Sequence, residues 1–190
     1  MKLYIAECNF KGNSQLILDY LFKVNPLDKI FPELESTYSI RTPHGHGKDI
    51  FDASEILALN QMTNPNEKLL ILTSATLFLP SPPPLGRIMC GCSDRLYGDC
   101  IVSNDRSFYW LYFKTPILPK WLQRSPSKYE IWDIANAAEE LGHLLGLEDH
   151  EAEFFKDGRC LMRGNREYMK KIEKIEDVHF CDKCYLKLQH

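Results

Sequence analysis

Two kinds of apolar pattern alternate along the first part of the chain. Residues Lys2–Cys8 read as a buried strand, and a helix-period pattern of apolar residues follows the Gly-Asn-Ser turn at 12–14. The pattern repeats with a strand predicted at 36–41 and a helix predicted at about 49–62. Alternating strands and helices are typical of an α/β fold, so we predict a twisted sheet covered by helices.

The next segments predict the middle and the border of that sheet. Residues 68–74 are almost continuously apolar, which is typical of a central strand buried on both faces. The proline-rich segment 80–84 lacks amide donors, so the following residues 85–91 are predicted to form an edge strand. Residues 99–103 are predicted to form another short strand.

The second half contains the longest predicted helix. Segment 104–123 is aromatic-rich but interrupted by two prolines, which predicts irregular packing. Either Ser125 or Ser127 is suited to cap a helix that runs to Leu145. A charged helix is predicted at about 166–176, followed by a tail that carries Cys181 and Cys184.

Composition places these elements in one domain of 190 residues, because 44% hydrophobic content suffices for a sizeable core. A net charge of −3 gives no basic excess for nucleic acid or an anionic membrane. No 18-residue apolar window exists, and Glu7 comes too early for a signal peptide, so we expect a cytoplasmic protein. Its seven cysteines are then expected to be thiols or metal ligands rather than disulfides.

The end of the long helix carries candidate metal ligands. Glu139 and His143 stand four residues apart, which places both on one helix face. Gly146 is suited to end the helix and to turn Asp149 or His150 back towards that face. Three protein ligands and one open position are typical of a catalytic metal site. The alternative interpretation is a solvated, charged helix face.

A second group of candidate ligands follows the helix. Cys181 and Cys184 form a Cys-x-x-Cys pair, and with Cys160 and His150 they complete a Cys₃His set, which is typical of a closed structural zinc site. A chance pair or a redox motif is the alternative, but no strand–helix context for a thioredoxin-like motif surrounds it.

These motifs carry a resemblance to a known family. Residues 139–149 align with the metzincin motif H-E-x-x-H-x-x-G-x-x-H, with Glu139 and Asp149 in place of its first and third His. Together with Cys160-Leu161-Met162 and the later Cys-x-x-Cys pair, the chain resembles the archaemetzincins, which are zinc-dependent peptidases. Segment 73–80 also resembles the strand-and-proline segment of that family.

The resemblance implies a fold and a domain organisation. It implies an α/β, metzincin-like domain over 1–190, with a mixed twisted sheet and an active-site helix. Residues 1–146 would form the N-terminal part with that helix, and residues 147–190 a small C-terminal part held by zinc.

The resemblance also implies roles for individual residues. Glu140 would be the general base for a water activated at the metal, and Met162 would lie beneath that metal, although plain core packing is the alternative for Met162. The preferred alignment makes Asp149 the third catalytic-site ligand and His150 a structural-zinc ligand. A rival alignment, shifted by one residue, makes His150 the catalytic ligand.

Two carboxylates in place of two imidazoles lower the formal charge of the catalytic metal site from +2 to zero, which weakens its Lewis acidity and favours harder ions than zinc. We therefore expect one structural zinc, a weakly held second ion, and slow cleavage of a peptide or protein bound along the edge strand. The alternative is an inactive pseudo-peptidase that binds peptides and keeps only the structural zinc, and a purely structural zinc protein is a third possibility. We expect a monomer.

Five further side chains were considered as metal ligands. Cys90, Cys92 and Cys100 lie near the predicted edge strand and are interpreted as buried thiols. His44 and His46 belong to a His-Gly-His-Gly turn, which is interpreted as a flexible loop rather than a metal site.

Overall fold

The computed structural model describes residues 1–24, 26–35, 38–42, 50–79, 87–96, 98–105, 127–150, 160–163 and 171–189. Its strands are β1 (Lys2–Cys8), β2 (Glu33–Glu35), β3 (Ile50–Asp52), β4 (Glu67–Thr73), β5 (Thr76–Leu79), β6 (Arg87–Met89), β7 (Gly91–Asp94) and β8 (Asp99–Ser103). Its α-helices are α1 (Ser14–Leu21), α2 (Leu27–Ile30), α3 (Ala53–Leu59), α4 (Lys128–Leu144) and α5 (Asp182–Leu188), with 3₁₀ turns at Leu161–Arg163 and Ile175–Asp177.

The larger sheet is mixed, as the sequence predicts. Its five strands lie in the order β2-β1-β4-β8-β7, so the apolar strand β4 is central. β2, β1, β4 and β8 are parallel, and β7 pairs with β8 in the antiparallel sense. A smaller sheet has the order β3-β5-β6. β7 therefore forms one edge of the larger sheet, next to the long helix α4.

Side chains alternate between two apolar cores on the faces of the larger sheet, as the period of a strand requires. On one face, Leu3 and Ile5 of β1 and Leu70 of β4 pack under α1 and α4. On the other face, Ile71 and Ile101 pack under α3 and the smaller sheet. This burial of β4 on both faces confirms the prediction made from its apolar run.

The two ends of α4 are defined by local hydrogen bonds. Ser127 is the N-cap: the Glu130 amide donates to its hydroxyl at 3.3 Å, and its own amide donates to Glu130 Oε2 at 2.7 Å. At the C-terminus Gly146 has φ +98°, and the amide of Leu147 donates to the Gly142 carbonyl at 2.9 Å. This is the Schellman arrangement, so the predicted glycine turn is confirmed.

The structure corrects the prediction of a second strand at 36–41. That strand lies earlier, at Glu33–Glu35, and residues 38–42 belong to neither sheet. The side chain of Asn60 satisfies the backbone there: it accepts from the Arg41 amide at 2.7 Å and donates to the Arg41 carbonyl at 2.9 Å. The backbone of Arg41 therefore does not require a neighbouring strand.

Three other predicted elements differ. The second helix is shorter, because β3 precedes it and Asp52 caps α3. The predicted edge segment 85–91 contributes β6, an edge strand of the smaller sheet. The described residues of the predicted helix 166–176 are not α-helical from 172 onwards, since the Asp177 carboxylate accepts from the Glu173 and Lys174 amides at 3.0 and 3.1 Å.

Several predictions fall outside the described residues: the prolines at 80–84, the turn with His44 and His46, and most of segment 104–123. Among the described helices, none has the length and apolarity that are needed to cross a bilayer.

Candidate metal centres

The turn after α4 brings the first set of predicted ligands together. Glu139 and His143 project from the same face of the helix end, and Asp149 returns to them after the turn at Gly146. One donor atom from each of the three side chains lies within 4.8 Å of the others. The Asp149 Oδ1 atom is 3.4 Å from His143 Nε2. Asp149 is the most exposed of the three, with 62% of its side chain accessible.

The imidazole of His143 is held in a defined orientation. Its Nδ1 atom lies 3.2 Å from the Leu147 carbonyl oxygen and donates to it. Because a carbonyl oxygen only accepts, Nδ1 is the donor in this contact, and Nε2 is turned towards Glu139 and Asp149. Metal-binding histidines are usually oriented in this way, by a hydrogen bond from the second ring nitrogen to a carbonyl or carboxylate.

The donor geometry fits a small divalent cation. Two donors at about 2.1 Å from a tetrahedral ion are about 3.4 Å apart, and the His143 Nε2 to Asp149 Oδ1 distance is 3.4 Å. Burial raises the pKa of Glu139 well above its ordinary value, with further contributions from the Glu140 and Asp149 carboxylates. Positive charge at this position would relieve that repulsion. Two carboxylates and one imidazole suit zinc, manganese or magnesium.

Glu140, the residue after Glu139, packs against the edge strand β7. A Cβ atom on Gly91 would lie 2.6 Å from both Cγ and Oε1 of Glu140, so the glycine makes this approach sterically possible. The hydroxyl of Ser93 donates a hydrogen bond to the Glu140 carboxylate. Burial nevertheless raises the pKa of Glu140 to about 8. β7 and α4 thus enclose one carboxyl group beside the three donors.

The second set of predicted ligands also converges. One donor atom from each of His150, Cys160, Cys181 and Cys184 lies within 4.8 Å of the others. The Cys160 and Cys184 sulfurs are 3.8 Å apart, and His150 Nε2 lies 3.1 Å from Cys184 Sγ and 3.3 Å from Cys181 Sγ. Two sulfurs on one tetrahedral zinc are about 3.8 Å apart, and a sulfur and a nitrogen about 3.6 Å. This His/Cys₃ cluster is therefore compatible with zinc.

The surroundings of these thiols favour thiolate formation. The hydrogen bond from Cys184 lowers the pKa of Cys160 and correspondingly raises that of Cys184, so the pair shares one proton in the absence of a cation. The Cys181 amide donates to Cys160 Sγ at 3.3 Å. Amide donors to sulfur stabilise negative charge on a cysteine ligand.

The neighbouring residues Asp149 and His150 therefore face different clusters. His150 lies with the cysteines, and Asp149 lies with His143, which is the arrangement of the preferred alignment. The His150 amide donates to the Met162 carbonyl at 2.7 Å. Met162 is fully buried, and its sulfur packs against α4 at Gly142. Met162 thus supports the helix beside the first cluster.

The other four cysteines do not form a third cluster among the described residues. Cys8 and Cys100 are buried, whereas Cys90 and Cys92 are half-buried, and all four are free thiols. Burial raises the pKa of each of them, so they are protonated at neutral pH. Of the three cysteines that the sequence analysis interpreted as buried thiols, Cys100 is fully buried, and Cys90 and Cys92 are only partly buried.

Three residues of the site were not identified from the sequence. Gly91 and Ser93 contact Glu140, and Arg95 donates to carbonyl groups at the end of α4. The local sequence does not identify them, because their contacts are with residues far along the chain. The His143 carbonyl that accepts from Arg95, for example, is 48 residues away in sequence. Only the pairing of β7 with β8 places them there.

Comparisons with known proteins give matches among solved structures. An archaemetzincin from Methanopyrus kandleri superposes with a TM-score of 0.66 at 20% identity, covering 100% of this chain and 93% of that one. An archaemetzincin from Archaeoglobus fulgidus, complexed with malonate, gives 0.58 at 20% identity, covering 98% and 99%. A zinc-dependent peptidase from Methanocorpusculum labreanum gives 0.58 at 16% identity over the same shares.

No protein-family model and no curated protein sequence matches the chain. At these identities the likeness concerns the fold, and it extends over the whole chain. The resemblance inferred from the motifs is confirmed at that level: this chain has the fold of the archaemetzincin structures.

Proposed function

We propose that this protein is a metallopeptidase of the archaemetzincin type with weakened activity. Glu139, His143 and Asp149 would hold the catalytic ion, and His150, Cys160, Cys181 and Cys184 would hold a structural zinc. The observation that carries the proposal is the convergence of the first three donors beside the enclosed carboxyl group of Glu140. The fold shared with zinc-dependent peptidases supports it.

The chain's own residues supply the parts that peptide hydrolysis requires. A bound divalent ion would polarise the peptide carbonyl and acidify a water molecule. Glu140 would accept the proton of the attacking water and pass it to the leaving amine, as a general base and then a general acid. Its neighbour Glu139 is one of the donors, and its contacts with Gly91 and Ser93 of β7 support this role. Among the described strands none pairs with the outer edge of β7, and that edge would align an extended peptide through backbone hydrogen bonds.

The ligand set explains why slow turnover is expected. Two carboxylates cancel the formal charge of a divalent ion, so that the ion acidifies water less than a site with three neutral imidazoles does. The same hard oxygen donors hold zinc less selectively against manganese and magnesium. The second cluster contains three sulfur donors and is not subject to this weakening.

A second candidate is a pseudo-peptidase that binds peptides and keeps only the structural zinc. One observation favours it: His143 Nε2 and Asp149 Oδ1 are 3.4 Å apart, so a protonated His143 forms an ion pair with Asp149 and needs no metal ion. In that state Glu140 would have no activated water to deprotonate.

Metal content and cleavage of a peptide library would separate the two candidates. The wild-type protein should retain one zinc after passage over a weak chelator, and should take up a second ion when Zn²⁺ or Mn²⁺ is added. The variant His143→Phe should lose only the second ion. Glu140→Gln should keep both ions and lose cleavage. If the wild-type protein takes up no second ion and cleaves no peptide, the peptidase proposal fails and the pseudo-peptidase remains.

A further inference from the structure

Arg95 connects the edge strand to the end of the long helix. It follows Asp94, the last residue of β7, and its guanidinium is directed across the surface to the turn after α4. Its Nε atom donates to the His143 carbonyl at 2.7 Å, and one Nη atom donates to the Leu147 carbonyl at 2.5 Å. One planar group thus joins two carbonyl oxygens across the Gly146 turn.

Both carbonyls belong to the unit that orients His143. The first is the residue's own carbonyl, and the second accepts the hydrogen bond from His143 Nδ1. Leu147 O therefore receives two donors, the guanidinium and the imidazole. Because the guanidinium fork has a fixed spacing, it sets the position of Leu147 O relative to the backbone of His143. The direction of the Nε2 lone pair depends on that position.

We propose that Arg95 is a positioning residue for the metal cluster of Glu139, His143 and Asp149. This inference rests on the proposed function, in which His143 is a metal ligand. The hydrogen bonds of Arg95 go to backbone carbonyls, and not to Glu140 or to the side-chain donor atoms of Glu139, His143 and Asp149. Arg95 acts through the carbonyls that fix the His143 ring and the turn leading to Asp149. Because it follows β7 directly, it also ties those ligands to the strand against which Glu140 packs.

If Arg95 only capped the helix, its replacement by Lys would have a different effect from the one that the positioning role predicts. A cation at a helix C-terminus stabilises the fold whatever side chain carries it, so Lys would replace Arg in that role. The positioning role requires two parallel N–H donors, which Lys does not provide. Arg95→Lys therefore separates the two roles, and Arg95→Met removes both.

The experiment uses the full chain with its structural zinc in place. Affinity of the second site for Co²⁺ is measured by chelator competition, and the visible Co²⁺ spectrum reports its ligand geometry. Leu96→Ala is the matched control, because Leu96 is the next residue of the same hairpin and is 90% exposed. Melting temperature and retained zinc report the folded state of every variant.

We expect Arg95→Met to weaken Co²⁺ binding by about 10- to 100-fold, as loss of a group that supports a metal ligand does. Arg95→Lys should keep the melting temperature but still lose most of this affinity, with a changed spectrum, whereas Leu96→Ala should behave as wild type. Wild-type affinity and spectrum in both Arg95 variants would overturn the inference. So would a loss of affinity in Arg95→Met that Arg95→Lys fully restores.

The role of Arg95 can also be tested if the cluster of Glu139, His143 and Asp149 takes up no ion. NMR of metal-free protein reports the orientation of the His143 ring through its contacts with Leu147. We expect one ring orientation in wild type and in Leu96→Ala, and several orientations in Arg95→Met. If wild type binds no second ion but His143 differs in this way between wild type and Arg95→Met, the proposed function is rejected and the role of Arg95 is retained. Identical His143 spectra in the two proteins would reject that role.

Discussion

Removal of the zinc proposed for the His/Cys₃ cluster is expected to detach the C-terminal part, residues 147–190. The perturbation is Cys181→Ser, which replaces one of the four donors of the His/Cys₃ cluster. A matched control is Cys92→Ser, because Cys92 is also a half-buried free thiol but lies outside both clusters. The two variants change the same atoms at a similar degree of exposure.

The structure gives the magnitude of the effect. Among its described residues, the C-terminal part buries six large apolar side chains, which contribute about 9–18 kcal/mol at roughly 1.5–3 kcal/mol each: Leu147, Leu161, Met162, Ile172, Val178 and Phe180. A structural zinc contributes about 10–16 kcal/mol. The contribution of the ion is therefore comparable to that of these six side chains together. The net stability of a domain is only about 5–15 kcal/mol.

The assay combines zinc content with thermal melting. Cys181→Ser should retain no zinc after dialysis, and its melting temperature should fall by at least about 20 °C, given about 2 °C per kcal/mol for a chain of this size. Cys92→Ser should retain one zinc and lose no more than about 5 °C. Metal-free wild type should resemble Cys181→Ser. A metal-free protein whose melting temperature and circular dichroism equal those of the zinc-loaded protein would refute the reasoning.

Three further predictions concern single positions. Gly91→Ala places a Cβ atom 2.6 Å from Glu140 Cγ, so we expect a loss of peptidase activity of about tenfold or more with little change in melting temperature. Gly146→Ala meets no atom within 4 Å, so at φ +98° it should cost only the left-handed strain of about 1–2 kcal/mol, measured by urea unfolding. The buried carboxyl group of Asp99 has no hydrogen-bond partner on another described residue, and burial, followed by the Asp94 charge, raises its pKa from 3.8 to about 7. Between pH 4 and pH 7 the folded protein holds a proton on Asp99 that the unfolded chain has lost. The free energy of unfolding of wild type, relative to that of Asp99→Asn, should therefore fall by about 3–4 kcal/mol from pH 4 to pH 8. Equal urea midpoints for the two proteins at both pH values would contradict this.

The elements predicted correctly from the sequence are those with strong local signals. β1, β4 and β8 are short apolar runs, and α4 combines a helix-period pattern with a serine cap and a terminal glycine. The candidate ligands were predicted for the same reason, since their spacing follows from one helix, one turn and one Cys-x-x-Cys pair. Local chemistry determines each of these features.

The elements that were missed depend on contacts between distant segments. β3 forms by pairing with β5 and β7 forms by pairing with β8, and no periodicity within β3 or β7 specifies these partners. The C-terminal helix α5 has only seven residues and begins directly after Cys181, so we attribute its formation to ligand convergence more than to helix propensity. Arg95 was missed because its role depends on the hairpin of β7 and β8.

The two clusters are joined by a single peptide unit, and this links their energetics. Asp149 faces His143, and the next residue, His150, faces the cysteines, with its amide bound to the Met162 carbonyl at 2.7 Å. A zinc that holds His150 therefore restricts the backbone that carries Asp149, an exposed side chain with little packing of its own. Ordering Asp149 in advance lowers the entropic cost of binding the second ion. Affinity at the first cluster should thus fall when zinc is removed from the second, and by thermodynamic linkage an ion at the first cluster should raise zinc affinity at the second by the same factor. Titration of Mn²⁺ into zinc-loaded and zinc-free protein measures this coupling, and equal affinities would show that the two clusters are independent.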